Sequence, residues 1–203
     1  MGLGQAMDLS LSRAKKLRFI LEGDKLKKII RNTLLTDQSR LENAAEHSWH
    51  AALSALVLFD SAQAQGMDLG RILKMLLVHD LVEIDAGDVS CYDRQGRQAQ
   101  VDKEQQAAER IFGLLPEPQA DELRRLWQEF EARQTPESCF AHAIDRLQAL
   151  LQAIHSQGRT WRAHGIRKEQ VIERMLPIRT ALPRLWPDVL QMIEEAAAKG
   201  YLK

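Results

Sequence analysis

Ten consecutive residues, His79-Asp80-Leu81-Val82-Glu83-Ile84-Asp85-Ala86-Gly87-Asp88, combine an imidazole with four carboxylates. They follow an almost unbroken apolar run, Ile72-Leu73-Lys74-Met75-Leu76-Leu77-Val78. A helix that is apolar nearly all round belongs inside a domain. Ionised groups at its end are costly unless they are paired, hydrogen-bonded or bound to metal. Two other apolar stretches carry candidate partners: His47 opens one and Asp145 lies within the other. Two imidazoles and two carboxylates form a mixed nitrogen and oxygen set, which suits Mn, Fe, Co, Ni or Zn better than Ca or Cu(I). Such a set leaves open positions on an octahedral ion, and a bound water with a lowered pKa is a hydrolytic nucleophile at neutral pH. Spacing alone leaves this open, because a lone histidine on an apolar helix is more often a hydrogen-bonded core residue than a ligand.

The elements that must position these groups read as helices. Residues 9–22 form a moderately amphipathic helix with Leu9, Leu17, Ile20 and Leu21, ended by Gly23. Asp24 can cap a second helix carrying Leu26, Ile29 and Ile30 to Arg31, and residues 32–43 look like a loop. The spacing of Trp49, Leu53, Leu56, Val57 and Phe59 predicts a helix over 44–65, stopped by Gly66. Asp68 caps the next, about 69–84, which exits at Gly87. Residues 90–99 are polar and irregular. Apolar stripes follow at Val101 to Leu115, Ala120 to Phe130, and Phe140, Ile144, Leu147, Leu151 and Ile154. The last of these starts at Thr135-Pro136, an N-cap with proline at the first helical position, and ends at Gly158. A loop over 159–166, short helical pieces over 167–182 and a helix from Pro187 to Gly200 complete the chain. No sustained alternation or Asn-Gly hairpin signal appears. The expectation is one all-α domain over 1–203, a bundle of seven or more helices, with a core of about 26–155 and the helices of 156–203 packed on it.

Bulk composition narrows the function classes. Lys plus Arg and Asp plus Glu are both 28 in 203 residues, so no global field recruits nucleic acid polymers or acidic membranes. Cys91 and Cys139 are far apart, against a disulfide scaffold or thiolate zinc site. No apolar run reaches membrane-span length. Asp8, Arg13, Lys15 and Lys16 interrupt the N-terminal apolar region, unlike a signal peptide. The expectation is a soluble cytoplasmic protein.

Three segments, ENAAEHSWH, KMLLVHDLVEIDAGD and FAHAIDRLQ, together resemble the HD-domain metal-dependent phosphohydrolases. The closer likeness is to the branch of the bacterial 5'-deoxynucleotidases and the related eukaryotic HD-domain-containing proteins. The resemblance runs from about Leu17 to Leu202. It implies an all-helical fold, one divalent metal (Mn, Co, Fe, Ni or Zn, with Mg a poorer match) held by His47, His79, Asp80 and Asp145, and often a homodimer. It implies that Glu83 and Asp88 orient or activate the attacking water and protonate the leaving group, in an order that sequence does not assign. It implies that Arg31 contacts substrate phosphate through a planar bidentate grip, with Arg40 a second candidate.

The expected activity is 5'-nucleotidase hydrolysis of (deoxy)nucleoside 5'-monophosphates to nucleoside and phosphate. The alternatives are hydrolysis of a cyclic phosphodiester or an alarmone pyrophosphate, and a non-catalytic dimer that binds metal or nucleotide. His50, one turn after His47, reads as packing or as support for the site. Glu46 reads as surface charge or an orienting group. Trp161, Arg162 and His164 read as packing ahead of contact with a base or a dimer partner, His142 and His155 as ordinary surface or helix-side residues, and Trp127 and Phe130 as core.

Overall fold

Two capped helix starts set the frame. Asn43 Oδ1 accepts the Glu46 N–H at 3.0 Å, and the Glu46 carboxylate accepts the Asn43 N–H at 3.2 Å. This reciprocal cap starts α2 (Ala44–Leu58). Thr135 Oγ1 accepts the Ser138 N–H at 3.2 Å and starts α7 (Pro136–His155), with Pro136 in the first turn as its spacing predicts. The computed structural model describes residues 3–59, 66–89 and 92–203. The expectations for 60–65, the end of the helix read over 44–65, and for Cys91 lie outside the described residues.

The chain opens with α1 (Leu3–Gly23) and a 3-10 turn, Asp24–Lys28. The helix expected to reach Arg31 does not form. Ile30–Leu34 is a strand, β1, paired antiparallel with β2 (Leu41–Asn43). The β-branched Ile29, Ile30 and Thr33 favour extended backbone, and the hairpin buries Leu34. It also puts Arg31 on a strand beside the later helices.

The helix read over 69–84 is three pieces. α3 (Leu69–Val78) ends in a 3-10 turn, His79–Val82, which leads into the short α4 (Glu83–Ala86). Side chains three apart eclipse in a 3-10 turn, so the change of pitch lines Asp80 up with Glu83. Gly87 leaves α4 at φ 78° and ψ 158°, a conformation open to glycine, and turns the chain toward Asp88.

Beyond lie α5 (Arg94–Phe112), α6 (Gln119–Ala132), α7, α8 (Arg159–His164), α9 (Lys168–Ala181) and α10 (Trp186–Ala198). The segment expected as a loop over 159–166 is therefore mostly helix. α7 is central and packs against α2, α3, α6, α9 and α10. Phe140, Ile144, Leu147 and Leu150 of α7 meet Ile72, Met75 and Leu76 of α3 in the core. Apart from the hairpin, the described residues form an all-α bundle, as expected.

The large apolar residues whose spacing predicts α2 face mostly outward. Trp49 is 63% exposed and Val57 70%, whereas Ala44, His47, Ser48, Ala51, Ala52 and Ala55 are buried. Small side chains let α2 lie close against α3 and α7, and that close approach carries His47 inside. Leu17, Ile20 and Leu21 of α1 are likewise exposed.

Candidate metal centre

His47, in the first turn of α2, is fully buried. Its Nε2 lies 2.9 Å from Asp145 Oδ1 and 3.9 Å from Asp80 Oδ2. His79, at the end of α3, donates Nδ1–H to the Leu76 carbonyl at 2.8 Å. That bond assigns the lone pair to Nε2. His79 Nε2 is buried without a hydrogen-bond partner, 3.1 Å from Asp80 Oδ1 but not aligned with it. The candidate ligand atoms of His47, His79 and Asp80 all lie within 4.8 Å of one another. An orphaned imidazole nitrogen among buried carboxylates is a donor set short of a cation, and its chemistry fits a divalent ion of the Mn-to-Zn series.

Arg31 supplies part of the missing charge, with its Nη1 2.8 Å from Asp80 Oδ2. Burial opposes its charge, but Asp80, Glu83, Asp88 and Asp145 outweigh burial and raise its pKa. Burial likewise pushes the Asp145 carboxyl up. The hydrogen bond from His47, with the charges of His47, His79 and Arg146, overrides this and holds it well below the usual carboxylate range. For His47, burial and Arg31 act against the charged ring, and Asp145 and Asp80 reverse the outcome to a raised pKa.

Glu83 and Asp88 shift the other way. Burial, then the Asp80 charge, raises Glu83 well above its ordinary value, against the pull of Arg31. Glu83 Oε2 is buried without a hydrogen-bond partner among the described residues. Burial raises Asp88 as well, opposed by Arg31 and by a hydrogen bond to the Asn32 backbone. Titratable groups pushed in opposite directions within one pocket mark a site able to move protons.

Arg31, His79, Asp80, Glu83, Asp88 and Asp145 line one cavity of about 240 Å³. His47 sits behind them. Arg40 is not brought to this cluster: it is exposed and clamps Glu46 bidentately, at 2.6 and 2.8 Å. Glu46, read as surface charge or an orienting group, is the partner of this exposed pair and the cap of α2. His142, expected as an ordinary surface or helix-side residue, is buried, lines the cavity and stacks on Phe130 at 4.0 Å between centroids. Trp161 is buried as expected and also lines the cavity. Sequence reasoning missed Arg146, which follows Asp145 and lines the cavity, and Gln148, which meets His47 Nδ1 at 2.8 Å. The helical spacing of Gln148 three residues after Asp145 was the available signal.

Comparison with known proteins covers most of the chain. The HD domain family matches residues 23–186. The chain is 30% identical over 149 residues to the 5'-deoxynucleotidase HDDC2 of Mus musculus, covering 73% of each chain. Its fold is similar to a solved structure from Magnetospirillum magnetotacticum described as a predicted metal-dependent phosphohydrolase. The TM-score there is 0.90 and the identity 45%, over 94% of this chain and 95% of that one. An HD-domain phosphohydrolase from Listeria innocua shares the fold at 16% identity and a TM-score of 0.63, over 90% of this chain and 98% of that one.

Proposed function

Because the chain belongs to the HD domain family, we propose that it is a metal-dependent 5'-nucleotidase, hydrolysing (deoxy)nucleoside 5'-monophosphates to nucleoside and phosphate. One observation carries the reading. The partnerless Nε2 of His79 meets His47 and Asp80 beside a cavity that Arg31, Glu83 and Asp88 also line.

His47, His79, Asp80 and Asp145 would hold one divalent ion. When bound, such an ion supplies Lewis-acid activation of water and of a phosphoryl oxygen. Arg31 binds the phosphoryl oxygens and offsets charge that develops on them. Glu83 and Asp88 divide the proton work, one accepting from the attacking water and the other donating to the leaving nucleoside oxygen. Raised carboxyl pKa values bring both nearer to neutral pH, where proton transfer in either direction is efficient.

The chain works as one unit. The core of about 26–155 carries the metal cluster, and Trp161 and Met175 from the later helices complete the cavity wall. The enzyme is cytoplasmic in this reading, in keeping with balanced charge and with no described helix long and apolar enough to cross a membrane. A second copy of the chain covers the exposed Trp49, Leu53, Leu56 and Val57 of α2, an apolar stripe too continuous to be left to water.

The test is phosphate release from a panel of ribo- and deoxyribonucleoside 5'-monophosphates by metal-stripped protein supplied separately with Mn, Co, Zn or Mg. Release should require metal and vanish in Asp80→Ala. If the metal-loaded wild type releases phosphate from none of them, the reading is wrong.

A further inference from the structure

His47 can offer Nε2 to the cluster only while its other nitrogen carries the ring proton, and that choice depends on what Nδ1 meets. Nδ1 meets Gln148 Oε1 at 2.8 Å. An amide presents either an oxygen or an NH2, so Gln148 alone decides nothing. The decision lies one step further out. Gln148 Nε2 donates to Glu42 Oε1 at 2.8 Å and lies 3.1 Å from His50 Nδ1. The same Glu42 oxygen accepts from Gln152 Nε2 at 2.6 Å. Turning the Gln148 amide over would put its carbonyl oxygen against the carboxylate at hydrogen-bond distance. Glu42, Gln148 and Gln152 are each at most 3% exposed, so water offers no escape.

We infer that Glu42 is a positioning residue for the metal centre: it orients the Gln148 amide, which keeps a proton on His47 Nδ1, so that Nε2, hydrogen-bonded to Asp145 in the metal-free cluster, is the nitrogen offered to a metal ion. The inference rests on the reading of the cluster as a metal site. The remaining Glu42 oxygen, Oε2, has no hydrogen-bond partner among the described residues and lies 3.7 Å from His47 Nδ1 and 3.8 Å from Arg31 Nε. The rival role is simple charge balance for Arg31.

The two roles separate by exchanging the partners. Glu42→Gln lets both amides turn over and frees the His47 tautomer. Glu42→Gln with Gln148→Glu keeps the charge and puts a fixed acceptor directly on His47 Nδ1. The metal-free protein is titrated with zinc alone by calorimetry, and ring-nitrogen NMR of the histidine-labelled, zinc-loaded protein locates the His47 proton. Glu42→Gln should weaken zinc binding roughly 10–100-fold, the usual effect of losing support behind a histidine ligand, and should populate His47 protonated on Nε2. The exchanged pair should restore Nδ1 protonation and most of the affinity, an outcome that charge balance at Arg31 does not produce. If Glu42→Gln fails to fold, the exchanged pair alone carries the test.

Zinc affinity and tautomer unchanged in Glu42→Gln would overturn the inference, as would an exchanged pair whose His47 remains protonated on Nε2. A wild type that binds no zinc would overturn the metal reading itself, whereas zinc bound equally by wild type and Glu42→Gln overturns only the positioning role.

Discussion

Arg31 Nη1 lies 2.8 Å from Asp80 Oδ2, across 49 residues of sequence. The arginine proposed to grip phosphate therefore rests on a carboxylate proposed to grip metal. Either guest changes what the other meets. With a cation held by Asp80, Arg31 would be available to a phosphoryl oxygen. Arg31→Met removes a charged hydrogen bond worth about 1.5–3 kcal/mol. The expected loss in kcat/KM is roughly 10–100-fold, seen mainly as a raised KM if the contact is as strong with substrate as in the transition state. Steady-state kinetics on a nucleoside monophosphate reads this directly, and unchanged kinetics would remove Arg31 from the site.

Glu83 predicts a conflict between stability and activity. Its folded pKa is raised above the ordinary 4.5 by burial and by Asp80. Between 4.5 and that raised value the folded state binds more protons than the unfolded chain, so stability falls as pH rises through this window. At neutral pH, above the unfolded value, this buried carboxyl group costs the metal-free protein stability. Glu83→Gln should therefore raise the unfolding temperature of the metal-free protein at neutral pH while abolishing phosphate release. A variant that is both inactive and less stable would refute the assignment.

The parts of the site carried by ionisable residues in helices were legible, because His47, His79-Asp80 and Asp145 stand at helical positions in apolar surroundings. The cap at Thr135-Pro136 was legible for the same local reason. The hairpin was not. Its turn uses Gln38 at φ 62° instead of the glycine or asparagine that would have signalled it. The buried face of α2 was not legible, because residue size points to Trp49 and Val57 whereas close helix packing selects the alanines. Gln148 is marked in the sequence only by its helical spacing from Asp145, because an amide has no chemistry of its own to attract notice; its place between His47 and Glu42 gives it a role.

His142 predicts how acid acts on the fold. Burial is the main reason its pKa falls from 6.5 to about 3, with Arg133 and Arg146 adding to the effect and Asp145 opposing it. The folded ring stays neutral where the unfolded one is protonated. Stability is thus fully present above 6.5 and is lost progressively as pH falls from 6.5 toward 3. His142→Phe removes this linkage. Denaturant unfolding across that window should show a shallower pH dependence for the variant than for the wild type, whatever their difference at neutral pH. Equal slopes would mean that His142 already titrates normally in the fold.

The proposed self-association turns on α2. Trp49, Leu53, Leu56 and Val57 recur at helical spacing and are all exposed, from 40% for Leu53 to 70% for Val57. The opposite face of the same helix carries His47 into the core, so the two faces can be changed independently. Trp49→Glu with Val57→Lys puts charge at both ends of the apolar stripe and leaves the buried alanine face untouched. Sedimentation should shift the protein from dimer to monomer, and zinc binding by the monomer should persist because every proposed ligand comes from one chain. A wild type that is already monomeric at high concentration would refute the dimer. A variant that stays dimeric would move the interface off α2, with the exposed Leu17, Ile20 and Leu21 of α1 the next apolar face to test.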